Sequence, residues 1–219
     1  MQLLNGPQDL KLAFATPIII RQLPEAETIN PGLAAMLRAE RDSSPEPSTS
    51  SIRGWQSRTD LAVRENADLI VLRDAVWQAI AEITATDLGR NIAPGDLSIT
   101  GNGWGNILGN GGLAHQHNHA RQADWSAVYF VDAEAGDEDA EMNGYLMLAD
   151  PRSIQVISGE GPYRQAERHV FIRPVNGTMV LFPAWVQHQV IVYFGQRERI
   201  SIAFNARVRI APNGTDDQF

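Results

Sequence analysis

The stretch from Leu97 to Ile210 decides the fold. It reads LSITGNGWGNIL (97–108), WSAVYFVDA (125–133), GYLMLAD (144–150), HVFIRP (169–174), GTMVLFP (177–183), HQVIVYF (188–194) and RISIAFNARVRI (199–210). These are short β-branched and aromatic runs bounded by Gly, Asn and Pro. No long helical pattern separates them, so they predict antiparallel strands in a sandwich or barrel, with a jelly roll as the best single architecture. In the last run a period of two puts Arg199, Ser201, Ala203 and Asn205 on one face and Ile200, Ile202 and Phe204 on the other. The apolar face asks for a core, and the polar face is free to line a site.

Working outward, residues 1–93 read as a helical N-terminal part and 94–210 as the jelly-roll core, both within one domain spanning 1–219. The run FATPIII, Phe14 to Ile20, fits an edge strand because Pro17 cannot donate to a ladder. A helix is expected from Asn30, as cap, with Pro31 at its first position, to about Asp42. Ser43 to Gly54 is rich in Ser and Pro and predicts a mobile surface loop or lid. A second helix is expected from about Glu65 to Thr86, with Leu69, Leu72, Val76, Ile80 and Ile83 forming one apolar stripe.

The chain has 219 residues, 18 basic against 26 acidic, for a formal net charge of −8. Such a surface repels a phosphate backbone, so nucleic acid is not expected as a partner. No window approaches 18 uninterrupted apolar residues and nothing at the N-terminus resembles an export signal, so no membrane partner and a cytoplasmic location are expected. There is no cysteine, which excludes disulfides, thiolate metal sites and cysteine nucleophiles. Lys11 is the sole lysine, which leaves little room for Schiff-base chemistry. Any metal must be held by His, Asp or Glu.

Only five histidines are present, and three of them alternate in AHQHNHA as His115, His117 and His119. In an extended segment all three point the same way, and neutral imidazoles so grouped can bind a first-row divalent metal. His188, opening HQVIVYF after a bend, is the distant partner. His169 has no such setting.

These residues carry a resemblance. HNHARQADWSAVYFVDA, GYLMLADPR and NGTMVLFPAWVQHQVIVYFGQRERISIAFN resemble the 2-oxoglutarate- and Fe(II)-dependent dioxygenase superfamily, closest to a small bacterial and phage oxygenase family with an H-x-H followed by S-G-V-Y-Y. The likeness runs from about Trp104 to Asn205 and includes W-x-N (Trp104, Asn106) and LFP (Leu181 to Pro183). It implies a double-stranded β-helix of the cupin kind with helices packed on one sheet. It implies Fe(II), or another divalent metal in a purified protein, on His117, His119 and His188. It further implies 2-oxoglutarate with its far carboxylate on Arg199 and Ser201, eleven and thirteen residues after His188. Tyr129 is a further candidate donor to the cosubstrate. His115, Asp124, Asn106 and Asn205 are candidates for supporting or alternative roles, Asp124 as a carboxylate ligand in place of His119.

The sequence departs from the superfamily in having His rather than a carboxylate at 119, and from the closer family in Ala120 for Pro and Ala127 for Gly. Beyond the metal ligands no catalytic side chain is assigned. The reaction implied is hydroxylation of an unactivated C–H bond, with succinate and CO2 released. The second reading is a three-His cupin-like dioxygenase or isomerase that does not use 2-oxoglutarate; the third is a degenerate jelly-roll binding module. Arg199-x-Ser201 favours the first. The substrate is a small molecule or a peptide, and a homodimer through the helices or an edge strand is an open expectation. The acidic run Glu134 to Glu141 lacks calcium-loop spacing, and GNGWGN lacks the strand-to-helix setting of a phosphate loop. Trp104, Trp125 and Trp185 are candidates for packing or for the rim of a substrate mouth.

Overall fold

The computed structural model describes residues 15–45, 51–133, 142–151 and 168–211. Among the described residues nine strands join in one sheet: β1 (Ile19–Gln22), β2 (Ser51–Gln56), β3 (Leu97–His117), β4 (Trp125–Asp132), β5 (Leu146–Ala149), β6 (His169–Ile172), β7 (Thr178–Pro183), β8 (His188–Tyr193) and β9 (Arg199–Ile210). Among the described residues two α-helices, α1 (Ala26–Ser43) and α2 (Ala67–Asp87), precede β3. The strand order is β1-β7-β4-β9-β3-β8-β5-β6, with β2 on β3, and every pairing of named strands is antiparallel. The seven runs quoted above correspond to β3 through β9, and the fold is the expected jelly roll.

The long strand β3 joins two leaves. Its first half, Leu97 to Leu108, pairs with β9, and its second half, Gly112 to His117, pairs with β8. One leaf is therefore β1-β7-β4-β9-β3 and the other is β3-β8-β5-β6. Phe130, Val180 and Phe182 from the first pack against Leu146, Leu148 and Ile172 from the second. The outer face of the first leaf, with Ala127, Tyr129, Met179, Leu181, Ile200, Ile202 and Phe204, forms the main core with α1 and α2.

All five residues of the expected apolar stripe on α2 are buried, and Asn66 caps the helix by accepting from the Leu69 amide at 3.1 Å. The first helix differs from expectation. It begins at Ala26, one turn before Asn30, so Pro31 lies inside it and leaves the Glu27 carbonyl without its usual donor. Burial of Ala26, Ile29, Leu33, Ala34 and Leu37 outweighs that loss. The expected edge strand begins only after Pro17, at Ile19, and among the described residues it pairs with β7 alone.

The lid expected over Ser43 to Gly54 is corrected at both ends. Ser43 closes α1, and Ser51 to Gly54 lie in β2, hydrogen-bonded to β3 across a bulge. Residues 46–50 of that segment lie outside the described residues, as does the acidic run 134–141.

The glycines of GNGWGN have a packing reason. A Cβ on Gly105 would sit 2.3 Å from Leu37 Cδ2 of α1, so only glycine lets the first helix approach β3 this closely. The alternate residues Asn102, Trp104 and Asn106 face the opposite way, into a cavity.

Candidate active site

A cavity of about 310 Å³ opens between the leaves, and His117, His119, His188, Arg199, Ser201, Asn106 and Asn205 all line it. One ligand atom from each of His117, His119 and His188 lies within 4.8 Å of the others. Nitrogens held at about 2.1 Å from one cation lie roughly 3 to 4 Å apart, so the cluster is within a small side-chain adjustment of a metal site. His117 faces His188 across the β3–β8 ladder, while His119 follows the end of β3, where its amide donates to the Ala184 carbonyl at 2.8 Å.

Each ring has a second partner. His117 Nδ1 is 2.7 Å from the His115 carbonyl, and His188 Nδ1 is 2.9 Å from the Val186 carbonyl. Both contacts fix Nδ1–H as donor and leave Nε2 as the free lone pair. His119 shares a side-chain hydrogen bond with Gln122. Burial lowers the His188 pKa to about 3 and the His119 pKa to about 4, opposed by their hydrogen bonds and helped by the charge of the neighbouring imidazoles. These two imidazoles are neutral at physiological pH, the form that binds metal.

His115 does not join them. The β3–β8 register slips between Ala114 and His117, so the extra residue breaks the alternation and leaves the His115 side chain exposed. Asp124 does not join them either: it is exposed, and its Oδ2 accepts from the Val208 amide at 2.8 Å. Among the described residues, no carboxylate lines the cavity.

Arg199 is fully buried and lies across the cavity. Its Nε donates to the Gly144 carbonyl at 3.1 Å, its Nη1 donates to Ser201 Oγ at 3.2 Å, and its Nη2 has no partner among the described residues. Phe130 underlies it, with the guanidinium carbon 5.4 Å from the ring centroid. Desolvation lowers its pKa to about 10, with the Tyr193 hydroxyl opposing, so it remains a cation. Among the described residues no carboxylate pairs with it, and a buried cation with an orphaned donor is costly unless an anion arrives. A dicarboxylate that chelates a metal on the histidines and reaches Arg199 answers that need, so the residues present fit both Fe(II) and 2-oxoglutarate.

Tyr129 is corrected. Its neighbours Ser126 and Val128 line the cavity, but it lies on the alternate face of β4, against the helices. Its hydroxyl donates to Asn30 Oδ1 at 2.7 Å, and burial raises its pKa. Asn205 accepts from Ser126 Oγ at 2.7 Å, and Asn106 pairs with Ser201 across β3–β9. Trp104 lines the cavity with its ring 5.7 Å from that of His119, Trp125 packs in the main core, and Trp185 is 43% exposed. Three contributors were missed from the sequence. Phe130 was findable, because it shares a face with Ser126; Gln122 and the Gly144 carbonyl carry no local signal.

A jelly roll with three converging imidazoles and a buried arginine without a carboxylate partner on the last strand fits the class of mononuclear metal oxygenases that take a dicarboxylate cosubstrate. Residues 102–205 match the family described as "Putative 2OG-Fe(II) oxygenase". The matched residues are those of a 2-oxoglutarate- and Fe(II)-dependent oxygenase, an oxidoreductase, as the sequence resemblance implied. Similar solved structures include a prolyl-4-hydroxylase from Pseudomonas putida, at 17% identity over 90% of this chain and 93% of that one, with a TM-score of 0.55. A prolyl hydroxylase from Trichoplax adhaerens, in complex with a hypoxia-inducible-factor peptide fragment, is 14% identical over 86% and 82% of the two chains, with a TM-score of 0.53. HygX from Streptomyces hygroscopicus, with nickel and 2-oxoglutarate bound, is 11% identical over 87% and 82%, with a TM-score of 0.51. At these identities the likeness speaks for the fold. No curated protein sequence matches this chain.

Proposed function

We propose that His117, His119 and His188 hold the Fe(II) and that Arg199, aided by Ser201, holds the far carboxylate of 2-oxoglutarate, so that the protein hydroxylates a C–H bond of a small molecule or peptide. The observation that carries this reading is Arg199: a fully buried guanidinium with an unpartnered Nη2, in the same cavity as the histidine cluster. A cupin-like enzyme without an anionic cosubstrate would need such a residue only for an anionic substrate, whereas a dicarboxylate that also chelates the metal accounts for Arg199 and the histidines together. The oxidising power would come from O2, activated at the bound metal with 2-oxoglutarate as the co-reductant that is decarboxylated to succinate, and the chain's own residues bind and orient. Nδ1 contacts to His115 and Val186 aim two imidazoles, while Gly144 and Ser201 fix the guanidinium plane for bidentate binding. Gly144 is left-handed, with φ +67, and packs against Tyr193 and the Arg199 side chain, which lets its carbonyl reach Nε.

Under the same proposal, residues 94–210 form the catalytic core and the helical part braces it within one domain. A cytoplasmic site of action belongs to this reading too, tested by cell fractionation; no helix among the described residues is long and apolar enough to cross a membrane. The decisive experiment adds Fe(II) and 2-oxoglutarate anaerobically and follows the weak visible charge-transfer band of the chelate. A band in wild type that disappears in His188→Ala supports the reading; Fe(II) binding without any band would favour the three-His alternative.

A further inference from the structure

The cavity face of the sheet is layered, and strand register assigns each layer. Arg199 stands opposite Leu108 at one end, followed by Ser201 opposite Asn106, then by Ala203 between Trp104 and Val128. The final row is Asn102, Asn205 and Ser126 on three adjacent strands. The histidine cluster is level with the Trp104 row, because the His119 ring packs 5.7 Å from the indole. Asn205 lies six residues from Arg199, about 20 Å along the strand, so the Asn102 row is at the opposite end of the face from the guanidinium.

That row is built rather than incidental. Asn205 and Ser126 are 4% and 3% exposed, and Ser126 Oγ donates to Asn205 Oδ1, which orients the carboxamide so that its Nδ2 donors are left to serve the cavity. Asn102 stands beside Asn205 with its own donor and acceptor, and Thr59 and Trp104 line the same space. Arg199 is the sole Arg or Lys lining the cavity among the described residues, and no carboxylate lines it, although one residue in five of the chain is charged. A wall of carboxamides and hydroxyls beside an indole pairs with groups that both donate and accept, and it offers a full charge no counter-ion.

We propose that the Asn102–Asn205–Ser126 row is the substrate-recognition subsite and that it selects an uncharged hydrogen-bonding group, an amide or a set of hydroxyls, on the substrate. This rests on the oxygenase reading of the cavity, and the test separates the two. The protein is loaded with Mn(II) and 2-oxoglutarate, and binding of each is measured first, by electron paramagnetic resonance and by calorimetry. Failure at that stage, with His188→Ala binding Mn(II) as wild type does, overturns the site reading and this inference with it.

Paramagnetic relaxation is then measured for N-acetylglycinamide and erythritol, both neutral, and for N-acetylglycine and glycinamide as anionic and cationic partners of the first. One or both neutral probes should relax at least threefold more than either charged one, and which of the two does so distinguishes an amide from a polyol. In Asn102→Asp, with Mn(II) and 2-oxoglutarate binding retained, the preference should move to glycinamide. Asn102 is exposed, so this variant is not expected to disturb folding, whereas Asn205→Leu removes a buried partner of Ser126 and serves only as a second check. A charged probe that relaxes as strongly as the neutral ones in wild type, no relaxation of either neutral probe, or an unchanged preference in Asn102→Asp would overturn the inference.

Discussion

Removing the Arg199 guanidinium deletes the buried charge partner proposed for 2-oxoglutarate. Arg199→Ala should weaken anaerobic 2-oxoglutarate binding by about 2 to 5 kcal/mol, roughly thirtyfold to several thousandfold, as for other desolvated charge pairs. Fe(II) affinity should be little changed, since Arg199 is not among the clustered ligands; a variant that binds 2-oxoglutarate like wild type would remove the main ground for the assignment. Asp124→Asn should leave metal affinity unaltered, because the Asp124 carboxylate serves the Val208 amide. Titration with Fe(II) in both proteins checks this, and a tenfold loss would restore Asp124 as a ligand. The histidines also set a pH dependence. His188 and His119 have folded-state pKa values of about 3 and 4, below the ordinary 6.5, so the unfolded chain takes up protons first as pH falls. The metal-free protein should hold their full contribution above about pH 6.5 and lose stability progressively below it. Thermal melts in chelator at pH 7.5 and 5.5 would show a lower Tm at 5.5, in a window above the range where carboxylates such as Glu40 and Glu198, with lowered pKa values, begin to protonate. The difference should shrink in His188→Gln.

Two strand faces that the sequence leaves ambiguous carry their own tests. On β4 the Tyr129 hydroxyl belongs to α1, so Tyr129→Phe should cost about 1 kcal/mol of stability through the lost bond to Asn30. The 2-oxoglutarate affinity should stay the same, and a clear loss of affinity with unchanged stability would put Tyr129 back in the site. On β3, Gly105→Ala would force a methyl into Leu37, so denaturant unfolding should show a loss of about 1 to 3 kcal/mol. Much of both strands was legible, because period two sorts residues onto two faces once a strand is recognised. What period two could not say is which face of β4 meets the helices and which the cavity; that is set by β9 and β7 on either side. His115 shows the same limit in another form. Alternation grouped it with His117 and His119, and a one-residue slip against β8, invisible in the sequence of β3 alone, sent it to solvent.

At the scale of the whole molecule, α1 is tied to the strand ends beside the cosubstrate site. Arg38 bonds Glu198 at 2.9 Å and Asp132 at 3.3 Å, and Arg41 bonds Glu198, so the helix grips the start of β9 next to Arg199. Because the cavity joins residues from both leaves, ligands should stabilise the fold as a unit: Fe(II) with 2-oxoglutarate at a hundredfold its Kd should add about 2.7 kcal/mol, and a chelator should reverse the accompanying rise in Tm. No change in Tm on adding both would count against a shared site. The sequence by itself determined the seven strands from Leu97 to Ile210, the apolar stripe of α2, the separation of Arg199, Ser201 and Asn205 from the core face, and the candidacy of His117, His119 and His188. Those are local or periodic properties, written in spacing and side-chain chemistry. Tertiary structure alone decided that α1 starts four residues before its best capping residue, that Ser51 to Gly54 form a strand, that Asp124 and Tyr129 serve other partners, and that Phe130, Gly144 and Gln122 support the site. Each of those depends on what lies across a ladder or a helix interface, and burial against a distant neighbour outweighs the local preference that the sequence displays.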